Sequence, residues 1–400
     1  MTAEPVFDVA IAGGGIVGAA CALACAQRGL KVALVERDVL GSGATAAGMG
    51  HVVVMDDSEA QFALTRYSQE LWQKLAAQLP ASCEYEQRGT LWIAADAEEM
   101  DAAERKNAWY AARSVPCDVL TAAQLRKAEP NLAPGLVGAL LVSEDAVVYP
   151  PTVALELARR AQALGAQLVL GKTVQQIADG SLVLDDETRI RAERIIVALG
   201  ADSVSLRPGL PIRKRKGHLV ITDRYPGFVN HQLVELGYLK SAHSVSSDSV
   251  AFNVQPRQTG QLLIGSSRQF GADSAEVNQP ILSAMLARAR LYLPGVARLS
   301  AIRVWTGFRA ATPDKLPLIG PDAHDPKLWL ATGHEGLGIT TSLATAELIA
   351  DMLSNQRPAI APGPYLPARY AQPKSADQHL ENEANHEVDW SHAGTDHGIR

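Results

Sequence analysis

Three observations predict an α/β fold, α+β overall, in which a parallel sheet is interrupted by an inserted antiparallel one. Residues 7–36 read as buried strand, glycine turn, helix and second buried strand. From about 210 to 305 the strands become longer and half-polar, and residues 302–350 return to buried-strand and helix character. A chain of 400 residues can hold two domains with a sizeable core. The expected division gives residues 1–80, 145–210 and 305–366 to the first domain, 81–144 and 211–304 to the second, and 367–400 to a tail.

Within the first unit, "FDVAIAGGG" (7–15) is a short apolar strand running into a tight turn. "IVGAACALACAQRG" (16–29) has helical composition and stops at Gly29, and "KVALVE" (31–36) is the second strand. This spacing implies a parallel pair joined by a right-handed crossover. Residues 58–80 and 97–113 are expected to be helical and 89–95 a strand. A helix over 152–165 ends at Gly165, and strands over 167–174 and 181–190 flank a hairpin turn at Asp179-Gly180. "RIIVALGA" (194–201) is another buried strand. In the second unit "KGHLVITD", "SVAFNVQP" and "GQLLIGSS" suggest an antiparallel sheet covered on one face, with a helix over 277–292. The strand "LWLA" (328–331) precedes a helix starting near Ile339.

Apolar residues make up 47% and charged residues 20%, as in an ordinary globular enzyme. A net charge of −6 without a basic cluster argues against a nucleic-acid partner. Residues 9–27 carry no charge, but they lack a basic flank and place glycines where a turn belongs. A buried strand and helix are therefore expected, rather than a signal peptide or membrane span. Cys21, Cys25, Cys83 and Cys117 follow no metal-ligand spacing; they read as small core residues in a reducing cytoplasm. His379, His386, His392 and His397 lie in a tail without periodicity, read as solvated and disordered rather than metal-binding.

"GGGIVG" supplies Gly13, Gly15 and Gly18, with Ile16 and Val17 between the last two, in the G-x-G-x-x-G pattern. The first glycine makes the turn, the second admits a pyrophosphate to the backbone, and the third lets helix and strand pack closely. Glu36, at the end of the second strand, is placed to accept hydrogen bonds from ribose hydroxyls, with Arg37 next to it. These residues alone leave NAD and FAD open. The small residues of "RDVLGSGATAAGMG" (37–50), with Ala44, Thr45, Ala47, Gly48 and Met49, offer a second contact segment. Gly200, at a strand end, and Val174 offer further ones. Separated contacts suit an extended dinucleotide, hence FAD. A second glycine loop, Gly333, His334, Glu335, Gly336, Leu337, Gly338, Ile339 and Thr340, opens the late helix and would address the other end of the same cofactor.

"IAGGGIVGAACALACAQRGLKVALVE", "GATAAGM", "RIIVALGA", "GFRAATPDKLPLIG" and "LATGHEGLGITTSLATAELIADML" occur in that order. Together, over residues 5–355, they resemble the FAD-dependent amine oxidoreductases of the D-amino-acid oxidase, glycine oxidase and sarcosine oxidase superfamily. "KGHLVITDRYPGFVNHQLVELGYLKS" and "QPRQTGQLLIGSSRQFG" carry a finer resemblance, to the FAD subunit of bacterial D-hydroxyproline dehydrogenases. The resemblance implies a Rossmann-like FAD-binding domain with an inserted substrate domain. It also implies hydride transfer from the substrate Cα–H to flavin N5, giving an imine, with cis-4-hydroxy-D-proline or a related D-proline derivative as substrate. A flavin subunit of a glycine, sarcosine or opine oxidase is the alternative, as is a non-catalytic FAD-binding subunit.

Arg309 in "GFRAATPD" matches the arginine that binds the substrate carboxylate in glycine-oxidase-like members; pairing with Asp314 is its structural alternative. Arg268 and Asn253 are further substrate candidates, subject to strand parity. His51 follows the flavin-adjacent "GMG" but lacks the motif of covalent attachment, and no cysteine lies beyond Cys117, so noncovalent FAD is expected. His334 is read as a loop support or flavin contact rather than a general base. The helix start near Ile339 would stabilise negative charge at flavin N1 and O2. Partner subunits could carry electrons onward, since no iron–sulfur motif is present.

Overall fold

The computed structural model describes residues 6–237 and 248–371. The four tail histidines, and residues 238–241 of one stretch quoted above, lie outside the described residues. With strands numbered in chain order, the first sheet holds β1 (Phe7–Ala12), β2 (Val32–Glu36), β8 (Gln167–Leu170), β11 (Arg189–Val197), β17 (Leu318–Pro321) and β18 (Leu328–Thr332). Their order is β17-β18-β11-β1-β2-β8, parallel except for the β17/β18 pair. A hairpin of β9 (Val174–Ala178) and β10 (Ser181–Leu184) attaches to β11.

β1 and β2 read as continuous apolar runs because helices cover the sheet on the face away from the hairpin. The helix Ile16–Gln27 is so rich in Ala, Gly and Cys that it packs closely between the sheet and the helices Pro150–Ala163 and Gly338–Leu353. Cys21 and Cys25 are fully buried there. β1 has β2 on one side and β11 on the other. The chain therefore reverses direction across the sheet between them, and the crevice at their carboxyl ends is where such sheets bind ligands.

The second sheet holds β4 (Thr90–Ala94), β5 (Cys117–Thr121), β6 (Gly138–Val142), β12 (Arg213–Thr222), β13 (Gln232–Glu235), β14 (Ser249–Pro256), β15 (Leu262–Phe270) and β16 (Ala301–Ala311). They run β16-β12-β15-β14-β13-β4-β6-β5, antiparallel except where β13 meets β4. The helix Gln279–Tyr292 lies on β14 and β15, and Tyr292 stacks on Phe252 with ring centroids 4.7 Å apart. A two-stranded ribbon of β3 (His51–Val52) and β7 (Ala146–Val147) completes the strands among the described residues.

Four sequence expectations change. The run 181–190 is not one strand: Glu187 has φ +67° and Leu184 N–H donates to Thr188 O, so the polar residues between β10 and β11 form a turn. The boundary drawn at 304/305 falls inside β16, which pairs with β12 along its whole length and so belongs to the second sheet. Residues 367–371 are not tail: Arg369 pairs with Asp314, and the Tyr370 hydroxyl accepts from Asp314 N–H. The strands β5 and β6 and the helix Ala122–Ala128 were not anticipated, because their pattern is short and broken.

No helix among the described residues is long and apolar enough to cross a membrane. Among the same residues no group of three or more His, Cys, Asp or Glu could hold a metal ion.

The tightest packing falls at the first glycine loop. A Cβ on Gly18 would lie 1.9 Å from the Gly13 carbonyl oxygen, a backbone atom that cannot move aside. We predict that Gly18→Ala lowers the unfolding free energy by about 1–3 kcal/mol, measured by denaturant titration of the ligand-free chain. An unchanged midpoint would show that the helix has room to shift.

Candidate active site

Gly13 follows β1 with φ +108°, and a Cβ there would meet the Ala198 carbonyl oxygen at 2.6 Å. The helix Ile16–Gln27 then starts with no side-chain cap and no acid in its first turn. Its free N–H groups and dipole favour an anion. Glu36, 7% exposed, accepts Gly14 N–H at 2.7 Å on one carboxylate oxygen and Asp38 N–H at 2.9 Å on the other. Each oxygen keeps a lone pair for a further donor. Gly200, after β11, has φ +56° and open space where a Cβ would stand. Thr332 at the end of β18 donates its hydroxyl to Gly200 O at 2.8 Å, tying the two strand ends together. Arg37 and Val174 lie further out. Arg37 is exposed beside Asp38 and Asp202, and half-buried Val174 pairs with Leu184.

Residues 44–50 run from that loop to the second one. Thr45 accepts Ile16 N–H at 3.0 Å, over the helix start, while Ala44 is exposed. Three close approaches then depend on glycine. A Cβ on Gly48 would meet Ile339 at 2.6 Å, one on Gly307 would meet Ala47 at 2.4 Å, and one on Gly265 would meet Met49 Sδ at 3.1 Å. The segment thus touches the first helix, the late helix and both β15 and β16.

The second glycine loop has Gly333 at φ +79° and Glu335 at φ +48°, and Glu335 N–H donates to Ala310 O at 2.9 Å. The helix Gly338–Leu353 follows, again with no side-chain cap and no acid in its first turn. Thr340 fixes its start. Its hydroxyl donates to His51 O at 2.9 Å, and its carbonyl accepts Ser68 Oγ–H at 2.6 Å and Trp72 Nε1–H at 2.9 Å. His334 shares a hydrogen bond of 3.0 Å between Nε2 and Thr345 Oγ1, so it supports its own helix, and burial pushes its pKa down to about 4. Burial also pushes His51 down to about 4, and its Nε2 has no partner. Neither ring carries a positive charge at neutral pH.

Arginines gather beside this loop. Arg309 on β16 stands directly opposite Arg215 on β12, and Arg268 lies on the neighbouring β15. A Cβ on Gly217 would meet Arg309 Nη1 at 2.5 Å, and one on Gly336 would meet Nε at 3.7 Å. Glycine on β12 therefore makes the seat, and the loop forms its side. Arg309 Nη1 donates to Ser267 O at 3.0 Å, and Arg215 forms an ion pair with Glu335. The alternative pairing of Arg309 with Asp314 is not formed, since Asp314 is taken by Arg369. Burial, then repulsion from Arg309 and Arg215, pulls Arg268 down to about 9. Burial likewise lowers Arg309, with Glu335 opposing the shift. Like charges this close favour a bound anion.

Parity settles Asn253. Phe252 faces the helix Gln279–Tyr292, so Asn253 faces the opposite side of β14, where it is 9% exposed and its Oδ1 has no partner. Gln255 Oε1 and Trp305 Nε1 are also buried without partners. Buried polar atoms normally find partners, so these atoms are available to a ligand or an ordered water.

The two helix starts without an acid in the first turn, the glycine-lined 44–50 segment and the carboxylate of Glu36 suit a long dinucleotide, its pyrophosphate at one end and a ring at the other. The fold and site therefore define a flavin-dependent oxidoreductase. The DAO family model, described as FAD dependent oxidoreductase, matches residues 8–352, and the chain belongs to that family. It is 28% identical to a glycine oxidase of Pseudomonas aeruginosa, over 90% of this chain and 98% of that one. The crystal structure of glycine oxidase from Geobacillus kaustophilus superposes with a TM-score of 0.82 at 26% identity, covering 92% and 100% of the two chains. A hydrogen cyanide synthase subunit of Pseudomonas aeruginosa is 25% identical over 92% of this chain and 97% of its own. The protein is an FAD-dependent oxidoreductase of that family.

Sequence reasoning missed Arg215, Gly217, Ser267 and Gln255. In "RKRKGH" two arginines, two lysines and a glycine look like a solvated run, and only the pairing with β16 shows which of them faces Arg309.

A histidine neutral in the folded chain near pH 4–6.5, but protonated once unfolded, destabilises the fold as pH falls through that window. We predict that His334→Gln flattens the loss of stability between pH 7 and pH 5, by up to about 1.4 kcal/mol per pH unit relative to wild type. Parallel unfolding curves for the two proteins at both pH values would contradict the buried neutral ring.

Proposed function

We propose that this chain oxidises the Cα–N bond of a small α-amino acid held through its carboxylate by Arg309. The carrying observation is the seat of that guanidinium against Gly217 and beside Gly336, in the loop that opens the late helix. A guanidinium fork matches a carboxylate in two parallel hydrogen bonds and stays charged at working pH. Bound FAD supplies the acceptor for the Cα–H hydride, and the substrate leaves as an imine. The first helix with Gly13, Gly15, Ile16, Val17, Gly18 and Glu36 would hold the adenosine and pyrophosphate, and residues 44–49 and 333–340 the ring. His51 and His334, neutral by burial, contribute shape rather than charge, and His334 adds its hydrogen bond to Thr345.

Within this class we take cis-4-hydroxy-D-proline, or a related D-proline derivative, as the substrate. The unpartnered Oδ1 of Asn253 would accept a ring hydroxyl. Glycine is the second reading, supported by the names of two relatives. Partner subunits that pass electrons onward are supported by the relative named as a synthase subunit. FAD is proposed to be noncovalent, because Cys21, Cys25 and Cys83 are packed in the core under the first sheet and Cys117 lies on β5, the edge strand of the second sheet.

The test is anaerobic bleaching of the flavin absorbance across a panel of D- and L-proline derivatives, glycine and sarcosine. Faster bleaching by the hydroxylated D-proline than by glycine supports the first reading, the reverse supports the second, and bleaching by none sinks the enzymatic reading of the isolated chain. We further predict that Arg309→Met raises KM at least about tenfold, in line with the 1.5–3 kcal/mol of a hydrogen bond to a charged group, while FAD stays bound. Unchanged kinetics would remove Arg309 from substrate binding.

A further inference from the structure

We propose that Glu335 is a specificity-determining residue: it is the internal counter-ion of Arg309, and Arg215 sets how much of its charge Arg309 feels. The inference rests on reading Arg309 as the carboxylate clamp.

The geometry is a three-way arrangement. Arg215 and Arg309 are register partners on adjacent antiparallel strands, where like charges repel. Glu335 reaches them from the second glycine loop. Its N–H is bonded to Ala310 O, next to Arg309, and its carboxylate pairs with Arg215. The adjacent Gly336 borders the Arg309 side chain itself. Of the other charges nearby, Arg268 adds a third positive group, and Asp57 leans towards Lys315 at 4.0 Å. Lys216 donates to the Glu276 carbonyl, and His218 is kept below its ordinary pKa by burial, Lys216 and Arg309.

Glu335 therefore competes with any incoming carboxylate for the field of Arg309, while Arg215 draws that competition away. Removing the glutamate charge should strengthen anion binding; removing Arg215 should leave Glu335 to Arg309 and weaken it. A purely structural role for the pair predicts damage in both variants, so the opposite signs are diagnostic.

The experiment titrates the FAD-loaded protein with acetate at fixed ionic strength, reading the shift in flavin absorbance, with acetamide as the uncharged control. Glu335→Gln should bind acetate about 3- to 10-fold more tightly and Arg215→Met more weakly by a similar factor, the scale of one partly screened charge. Acetamide should not respond, and Arg215→Lys should restore most of the loss. Acetate binding that is unchanged or weaker in Glu335→Gln overturns the proposal. If that variant fails to retain FAD, Arg215→Met decides, and unchanged or tighter binding overturns it. Acetate binding that survives in Arg309→Met instead refutes the clamp itself.

Discussion

The start of the late helix is held in place by Thr340, and the chemistry of the site depends on that anchorage. Its hydroxyl and carbonyl bind His51, Ser68 and Trp72, so the helix start is clamped to the ribbon strand β3 and to the helix Glu59–Ala76. A helix dipole acts only within its first turn, and a small rotation would aim it elsewhere. Because Trp72 and Ser68 are fully buried, the clamp is also out of reach of competing water. The polar end of the helix is thus positioned by a dry network rather than by a flexible loop.

Around this anchor, absent side chains do as much as present ones. Segment 44–50 fits between the second sheet and the two helix starts only because Gly48, Gly265 and Gly307 lack side chains, and Arg309 lies against its neighbour strand only because Gly217 also lacks one. Each of these contacts brings backbone or a functional group within reach of one elongated ligand. The cost is electrostatic: three arginines share a small buried region with Glu335 as their near acid, and burial, then repulsion from the other two, pulls Arg268 down to about 9. Such a cluster is least comfortable without an anion, and this biases the site towards negatively charged groups.

Much of this was legible in the sequence, and for identifiable reasons. Glycine spacing, an apolar strand on either side and Glu36 at the strand end are local features, and local features survive in a one-dimensional reading. Arg309 and the second glycine loop were likewise visible, as contiguous motifs. What the sequence hid was pairing. Nothing in "RKRKGH" distinguishes Arg215 from Arg213, whose neighbour across the ladder is Ala311. Asn253 could be oriented only once Phe252 was seen to stack on Tyr292. The placement of β16 failed for the same reason: its half-buried residues resemble those of either sheet, and only the ladder to β12 assigns it.

β16 also has a consequence at the level of inheritance. It leaves the second sheet and reaches the second glycine loop after only the β17/β18 pair, so Arg309, Glu335 and the start of the late helix all lie within residues 309–338. An exchange of that stretch between homologous genes would carry the proposed clamp, its proposed counter-ion and the late helix together, and would leave the first glycine loop untouched. The seat of the clamp would not travel with it, since Gly217 and Ser267 lie on strands encoded earlier. Any recipient with a larger residue at 217 would inherit an arginine with nowhere to lie, which ties two distant parts of the sequence to a common history.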